Sequence, residues 1–127
     1  MSRVVVEWKH LDVDGETCDR CGQTGADVAE VVRLLAAECG KKGVEILFRE
    51  TRLPAAEIKQ SNLVLINGVP IEEILPATFV SSSSCCSCSD LTGKEECCRT
   101  IVRFGMEHEA IPAQFVREAI CLVARCC

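Results

Sequence analysis

At residue 81 the chain changes character: SSSSCCSCSDLTGKEECC, residues 81–98, holds five cysteines and, apart from them, Leu91 as its only apolar side chain. Hydrophobic burial cannot order such a stretch, which needs a ligand, a cross-link or the rest of a domain to hold it. The apolar residues that build a core must come from either side.

Before it, Val4 to Leu11 opens as a β-branched run and then mixes charge with Trp8 and Leu11, the pattern of a strand buried at one end. Residues 12–25 are rich in Asp, Gly and Thr and contain Cys18-Asp19-Arg20-Cys21, so this C-x-x-C is expected on a loop or at a helix start. Thr24 with Asp27 reads as a capping-box variant, and Val28, Val31, Val32, Leu35 and Cys39 recur at helical spacing, which predicts a helix from about Gly25 to Cys39. Gly40 and Gly43 around two lysines stop it. Val44 to Leu53 reads as a second strand, Pro54 opens a short helix through Gln60, and Leu63 to Ile66 is an apolar strand. Asn67-Gly68 then supplies a tight turn into a short edge strand at Val69-Pro70, with Ile71 to Leu75 turning helical. After the cysteine-rich segment, a hairpin around Gly105 and a helix from Pro112 complete the chain.

With 127 residues there is room for one domain. Fourteen basic against nineteen acidic residues leave a net charge of -5, without the basic footprint or the aromatic platforms of a nucleic-acid binder. No stretch approaches a membrane span, and Val4 to Val6 is too short for a signal-peptide core, so a soluble cytoplasmic protein is expected. In a reducing compartment, eleven cysteines point to metal binding or thiol redox chemistry rather than to a disulfide scaffold.

Cys18 and Cys21 are spaced so that both sulfurs can converge on one ion or close a small disulfide ring. A second C-x-x-C, Cys85 with Cys88, is followed by Cys97 and Cys98, and Cys86 adds a further thiol. Adjacent cysteines diverge, so this segment offers three convenient ligands and a choice of fourth. Soft thiolate sets select zinc, copper(I), iron-sulfur clusters or thiophilic metalloids. Cys126-Cys127 reads as a terminal vicinal pair able to transfer an ion or exchange disulfides, or as a tolerated terminus. Cys39 and Cys121 read as small packing residues. His10, at the end of a strand pointing towards the first C-x-x-C, is a lesser candidate for a ligand or proton shuttle.

The order strand, C-x-x-C, helix, strand, short helix, apolar strand, Asn-Gly turn, short strand and final helix resembles the thioredoxin and glutaredoxin superfamily. TCDRCGQT, INGVPIEEIL, CCSC and CRTI with EAIPAQ are similar, over nearly the whole chain, to a cysteine-rich prokaryotic family of thioredoxin-like proteins of unknown function. The resemblance implies an α/β fold: a thioredoxin-like three-layer sandwich with a mixed sheet, one domain over residues 1–127, and a cysteine-rich loop insertion at about 81–99 before the last hairpin and helix. Redox members open the first helix with the C-x-x-C and face it with a cis-proline. Here the helical periodicity begins at Val28, after a Gly-Gln-Thr-Gly spacer, and Ser61-Asn62 stands in the proline's place. With the nearest cap at Thr24, Cys18 is expected near the ordinary thiol pKa of about 8.5.

Two functions follow as expectations. One is soft-metal or metalloid binding, zinc first, by Cys18 and Cys21 at one site and by Cys85, Cys86, Cys88, Cys97 and Cys98 at another, with a metal ion or a thiol-bearing protein as partner and neither nucleic acid nor membrane. The alternative is a thiol-disulfide oxidoreductase in which Cys18 attacks and Cys21 resolves.

Overall fold

The computed structural model describes residues 2–127, and for residues 86 and 87 the backbone alone. Its first strand, β1 (Ser2–Leu11), lies inside a four-stranded sheet. On one side it pairs in parallel with β2 (Val44–Leu53), in register from Ser2–Val44 to Leu11–Leu53. On the other it pairs antiparallel with β3 (Leu63–Ile66), and β4 (Val69–Pro70) adds a short edge. Alternation puts Val4, Val6, Trp8 and His10 on the buried face of β1. The turn into β4 is built as its sequence requires, with positive φ at Asn67 (52°) and Gly68 (81°). Asn67 is tied to β1 twice: its N–H donates to the Val5 carbonyl, and its Oδ1 accepts from the Val5 N–H, each at 2.8 Å.

Two helices cover the face that carries Val4, Val6 and Trp8: α1 (Asp19–Gly40) and α4 (Ala113–Ala124), which also pack on each other. Val28, Val31, Val32 and Leu35 from α1 meet Val116, Ala119 and Ile120 from α4 in one buried cluster, where each fully buried aliphatic side chain contributes about 1.5–3 kcal/mol. A six-residue 3-10 helix (Ala55–Gln60) and a single turn, α2 (Ile71–Ile74), fill the connections. No helix of the described residues is long and apolar enough to cross a membrane.

Two expectations need correction. First, α1 begins at Asp19, not near Gly25. The Gly22-to-Gly25 stretch is part of the helix rather than a spacer, and Gly25 lies directly against the core. A Cβ on Gly25 would sit 2.5 Å from Cζ2 and Cζ3 of Trp8 and closer still to Cη2, so only glycine lets the helix lie on the indole. The Thr24 hydroxyl does not cap the helix; it accepts from the Ile111 N–H at 3.0 Å and binds α1 to the segment before α4. Second, residues 81–99 do not form a loop insertion on a single sheet. They belong to a second, three-stranded antiparallel sheet, in the order β5 (Thr78–Ser84), β6 (Cys97–Arg103), β7 (Met106–His108), with α3 (Cys86–Thr92) joining its first two strands. The serines pair with the cysteine strand, Ser83 opposite Cys98 and Ser84 opposite Cys97. Backbone pairing thus supplies the order that apolar side chains cannot.

Candidate metal centre

Cys18 is the N-cap residue of α1, extended (φ -78°, ψ 164°), and its carbonyl accepts the first helical bond from the Gly22 N–H at 2.9 Å. Its sulfur therefore stands at the positive end of a 22-residue helix. Cys85 occupies the matching place at the end of β5, where its N–H donates to the Glu96 carbonyl at 3.0 Å. The Ser89 hydroxyl donates to the Cys85 carbonyl at 2.8 Å and accepts the Glu96 N–H at 2.9 Å, which closes α3 against the start of β6. Cys88 lies one turn into α3 and Cys98 points inward from β6. The four sulfurs of Cys18, Cys85, Cys88 and Cys98 all lie within 4.8 Å of one another, and Cys88 Sγ and Cys98 Sγ are 3.0 Å apart. None of the four residues is more than 3% exposed.

Arg20 fastens the two halves together. Its guanidinium donates to the Ser84 carbonyl at 2.6 Å, one residue before Cys85, and pairs with Glu109 at 3.2 Å. It does not serve as a free positive charge beside the first C-x-x-C. Cys21 lies on the inner face of α1, fully buried, with its sulfur 3.0 Å from Ser61 Oγ. That hydroxyl in turn accepts from the Leu11 N–H at 3.1 Å, so the residue standing in the proline's place holds the second thiol of the motif.

These contacts divide the thiols by acidity. Hydrogen bonds from Cys21 first, then from Cys88 and Cys98, hold the Cys18 thiol well below the usual thiol range. The same bonds raise their donors: Cys21 through Cys18 and then burial, Cys88 through Cys18 and then Cys98, and Cys98 through Cys18 ahead of burial. In the metal-free, reduced protein these contacts favour ionisation of Cys18 ahead of Cys21, Cys88 and Cys98. The expectation of an ordinary Cys18 overlooked these thiol neighbours, and its premise, a helix capped at Thr24, also fails, because Cys18 is itself the N-cap.

A family model described as a domain of unknown function, DUF2703, matches residues 4–120. The chain belongs to this family. It is also 35% identical over 99 residues to an uncharacterized protein of Archaeoglobus fulgidus, an alignment covering 75% of this chain and 69% of that one. No solved structure matches.

Within this family member, the residues expected at two sites are distributed otherwise. Cys18 joins Cys85, Cys88 and Cys98 in one group, while Cys21 sits beside that group rather than in it. Cys97 is exposed, because alternation along β6 turns it away from Cys98. The side chain of Cys86 lies outside the described residues. His10 does not join the sulfur group, and its ring is engaged elsewhere: Nδ1 meets the Leu11 carbonyl (3.0 Å) and Thr17 Oγ1 (3.2 Å), and Nε2 meets Glu50 (2.6 Å). Cys39 and Cys121, read as packing residues, are disulfide-bonded to Cys126 and Cys127. Ser61 was marked only by its place in the resemblance, and nothing at short range marks Arg20 as the tie to Ser84, which lies 64 residues away.

Proposed function

We propose that the protein binds a soft metal ion or metalloid, zinc first, through Cys18, Cys85, Cys88 and Cys98 on a thioredoxin-like scaffold, in the cytoplasm. The single observation that carries this reading is the convergence of four buried sulfurs within 4.8 Å of one another. The donor set fits the ion: zinc–thiolate bonds of about 2.3 Å give tetrahedral edges of about 3.8 Å, so the sulfurs need adjust by about an ångström or less. Four buried thiolates with no open position are the chemistry of a closed site, and soft sulfur selects zinc over harder ions. The scaffold reading is supported by the strand order β2-β1-β3-β4 with α1 between its parallel strands.

The test is metal analysis of protein purified without oxygen. Wild type and Cys97→Ser should carry about one zinc per chain, and Cys88→Ser should lose it, because that thiol alone of the two faces the group. Folded, metal-free wild type that takes up no zinc overturns the proposal.

A second reading, thiol-disulfide exchange by Cys18 and Cys21, draws on the helix start at Cys18 and the depressed Cys18 thiol beside a protonated Cys21. Both readings claim Cys18, so they part cleanly. A reductase activity abolished by Cys18→Ser and untouched by stoichiometric zinc would favour exchange.

A further inference from the structure

A second group of sulfurs lies at the opposite end of α1. Cys39, in the last turn of that helix, is bonded to Cys126, and Cys121 of α4 is bonded to Cys127. The chain turns back after α4 through Arg125, with φ 55°, which brings both terminal cysteines onto the end of α1. Lys42 Nζ donates to the Cys126 carbonyl at 2.8 Å and fixes the turn. The sulfurs of Cys39, Cys126 and Cys127 lie within 4.8 Å of one another, so the two disulfides are in contact. One is buried, with Cys39 0% and Cys126 3% exposed; the other reaches solvent at Cys127. A cleft of about 360 Å³ opens on the pair, lined by Lys41, Lys42 and the Arg117–Glu38 ion pair. Over the 22 residues of α1, this group stands roughly 30 Å from the metal centre and shares no residue with it.

We propose that this group is a second reactive centre, a two-disulfide relay in which exposed Cys121–Cys127 exchanges with an external dithiol and passes the electron pair to buried Cys39–Cys126. The external dithiol attacks Cys127, releases Cys121 as a thiol, and then closes on itself; it leaves as a disulfide, and Cys121 and Cys127 are both reduced. The Cys127 thiolate, beside Lys41 and Lys42 in the cleft, next attacks Cys39. The Cys39–Cys127 bond forms, the Cys39–Cys126 bond breaks, and Cys126 departs and takes the proton that Cys127 lost. Attack on Cys126 instead would bond two neighbours whose Cα atoms are about 3.8 Å apart, below the usual disulfide span of about 4.4–6.8 Å. Finally Cys121 attacks Cys127, which restores Cys121–Cys127 and frees Cys39. The net change is one external dithiol oxidised and one buried disulfide reduced. In the reducing compartment proposed above, disulfides are usually transient and redox-active rather than structural, which agrees with a relay.

The experiment is timed reduction of the zinc-supplied full chain by dithiothreitol as the dithiol probe, with acid quench, alkylation and peptide mapping. Cys121 and Cys127 should be freed first, a Cys39–Cys127 linked peptide should appear, and Cys126 should become free before Cys39. In the Cys121→Ser/Cys127→Ser double variant, checked for native circular dichroism, reduction of Cys39–Cys126 should slow about tenfold or more, since the probe must reach a buried bond without the relay. A smaller change overturns the proposal. So does a Cys39–Cys126 bond that opens before Cys121–Cys127, or a second zinc held by these four residues in place of disulfides.

Discussion

Two glycines of α1 test how that helix is seated. Gly22 is exposed, with nothing within 4 Å of where a Cβ would be, whereas a Cβ on Gly25 would press into the Trp8 ring. Both residues are helical, so Ala at either gains about 0.5–1 kcal/mol from the backbone. At Gly25 this gain is opposed by overpacking, about 1–3 kcal/mol. Trp8 has little room to retreat, being buried and stacked on His10 with ring centroids 3.9 Å apart. Gly25→Ala should therefore be destabilised by about 1–2 kcal/mol net, and Gly22→Ala stabilised by about 0.5–1 kcal/mol. At about 2.1 cal/mol/K per residue, the 127 residues give about 3–4 °C per kcal/mol, so Tm should fall by about 4–7 °C in the first variant and rise by about 2–4 °C in the second. Differential scanning calorimetry of the zinc-supplied proteins reads both. Equal stability of the two variants would refute the claim that Gly25 is chosen by contact with Trp8.

Thr24→Val should cost about 1–3 kcal/mol in urea unfolding, because it leaves the buried Ile111 N–H without its acceptor, and Thr24→Ser should recover most of that. Arg20→Gln should weaken zinc binding about 10- to 100-fold in a competition titration by loosening Ser84 beside Cys85, whereas Glu109→Gln should do far less because that partner is exposed. For metal-free, reduced protein, the raised thiols of Cys21, Cys88 and Cys98 make the unfolded chain release protons first. Stability should therefore fall as pH rises past the unfolded thiol value of about 8.5. The depressed Cys18 acts oppositely: its contribution is complete above that value and declines as pH falls below it. Denaturant midpoints between pH 7 and 10 check the sign.

How far the sequence could be read follows from where each signal resides. The strand over Val44–Leu53, the Asn67-Gly68 turn and the helix after Pro112 all carry their cues within a few residues, and all are present. The start of α1 was illegible because Gly22 and Gly25 are poor helix formers locally, and the reason for Gly25, the Trp8 ring, comes from a distant strand. Residues 81–84 have no apolar alternation because their order comes from pairing with residues 97–100. Divergence of Cys97 from Cys98 was readable from alternation alone. The union of Cys18 with Cys85, Cys88 and Cys98 was not, since only the approach of the N-terminus of α1 to the end of β5, tied by Arg20 to Ser84, sets the fourth ligand that local spacing left open.

Trp8 is the single tryptophan of a chain without tyrosine, and it lies between α1 and the imidazole of His10. Its emission is therefore an unmixed optical gauge of one interface. While the helix rests on the ring, the indole is screened from water and should emit at short wavelength; any lifting of that helix, whether by metal loss, oxidation of Cys18 or substitution at Gly25, wets the indole and shifts the spectrum to the red. The same scarcity of chromophores keeps near-ultraviolet absorbance low, so thiolate and metal–thiolate bands can be followed in the same cuvette.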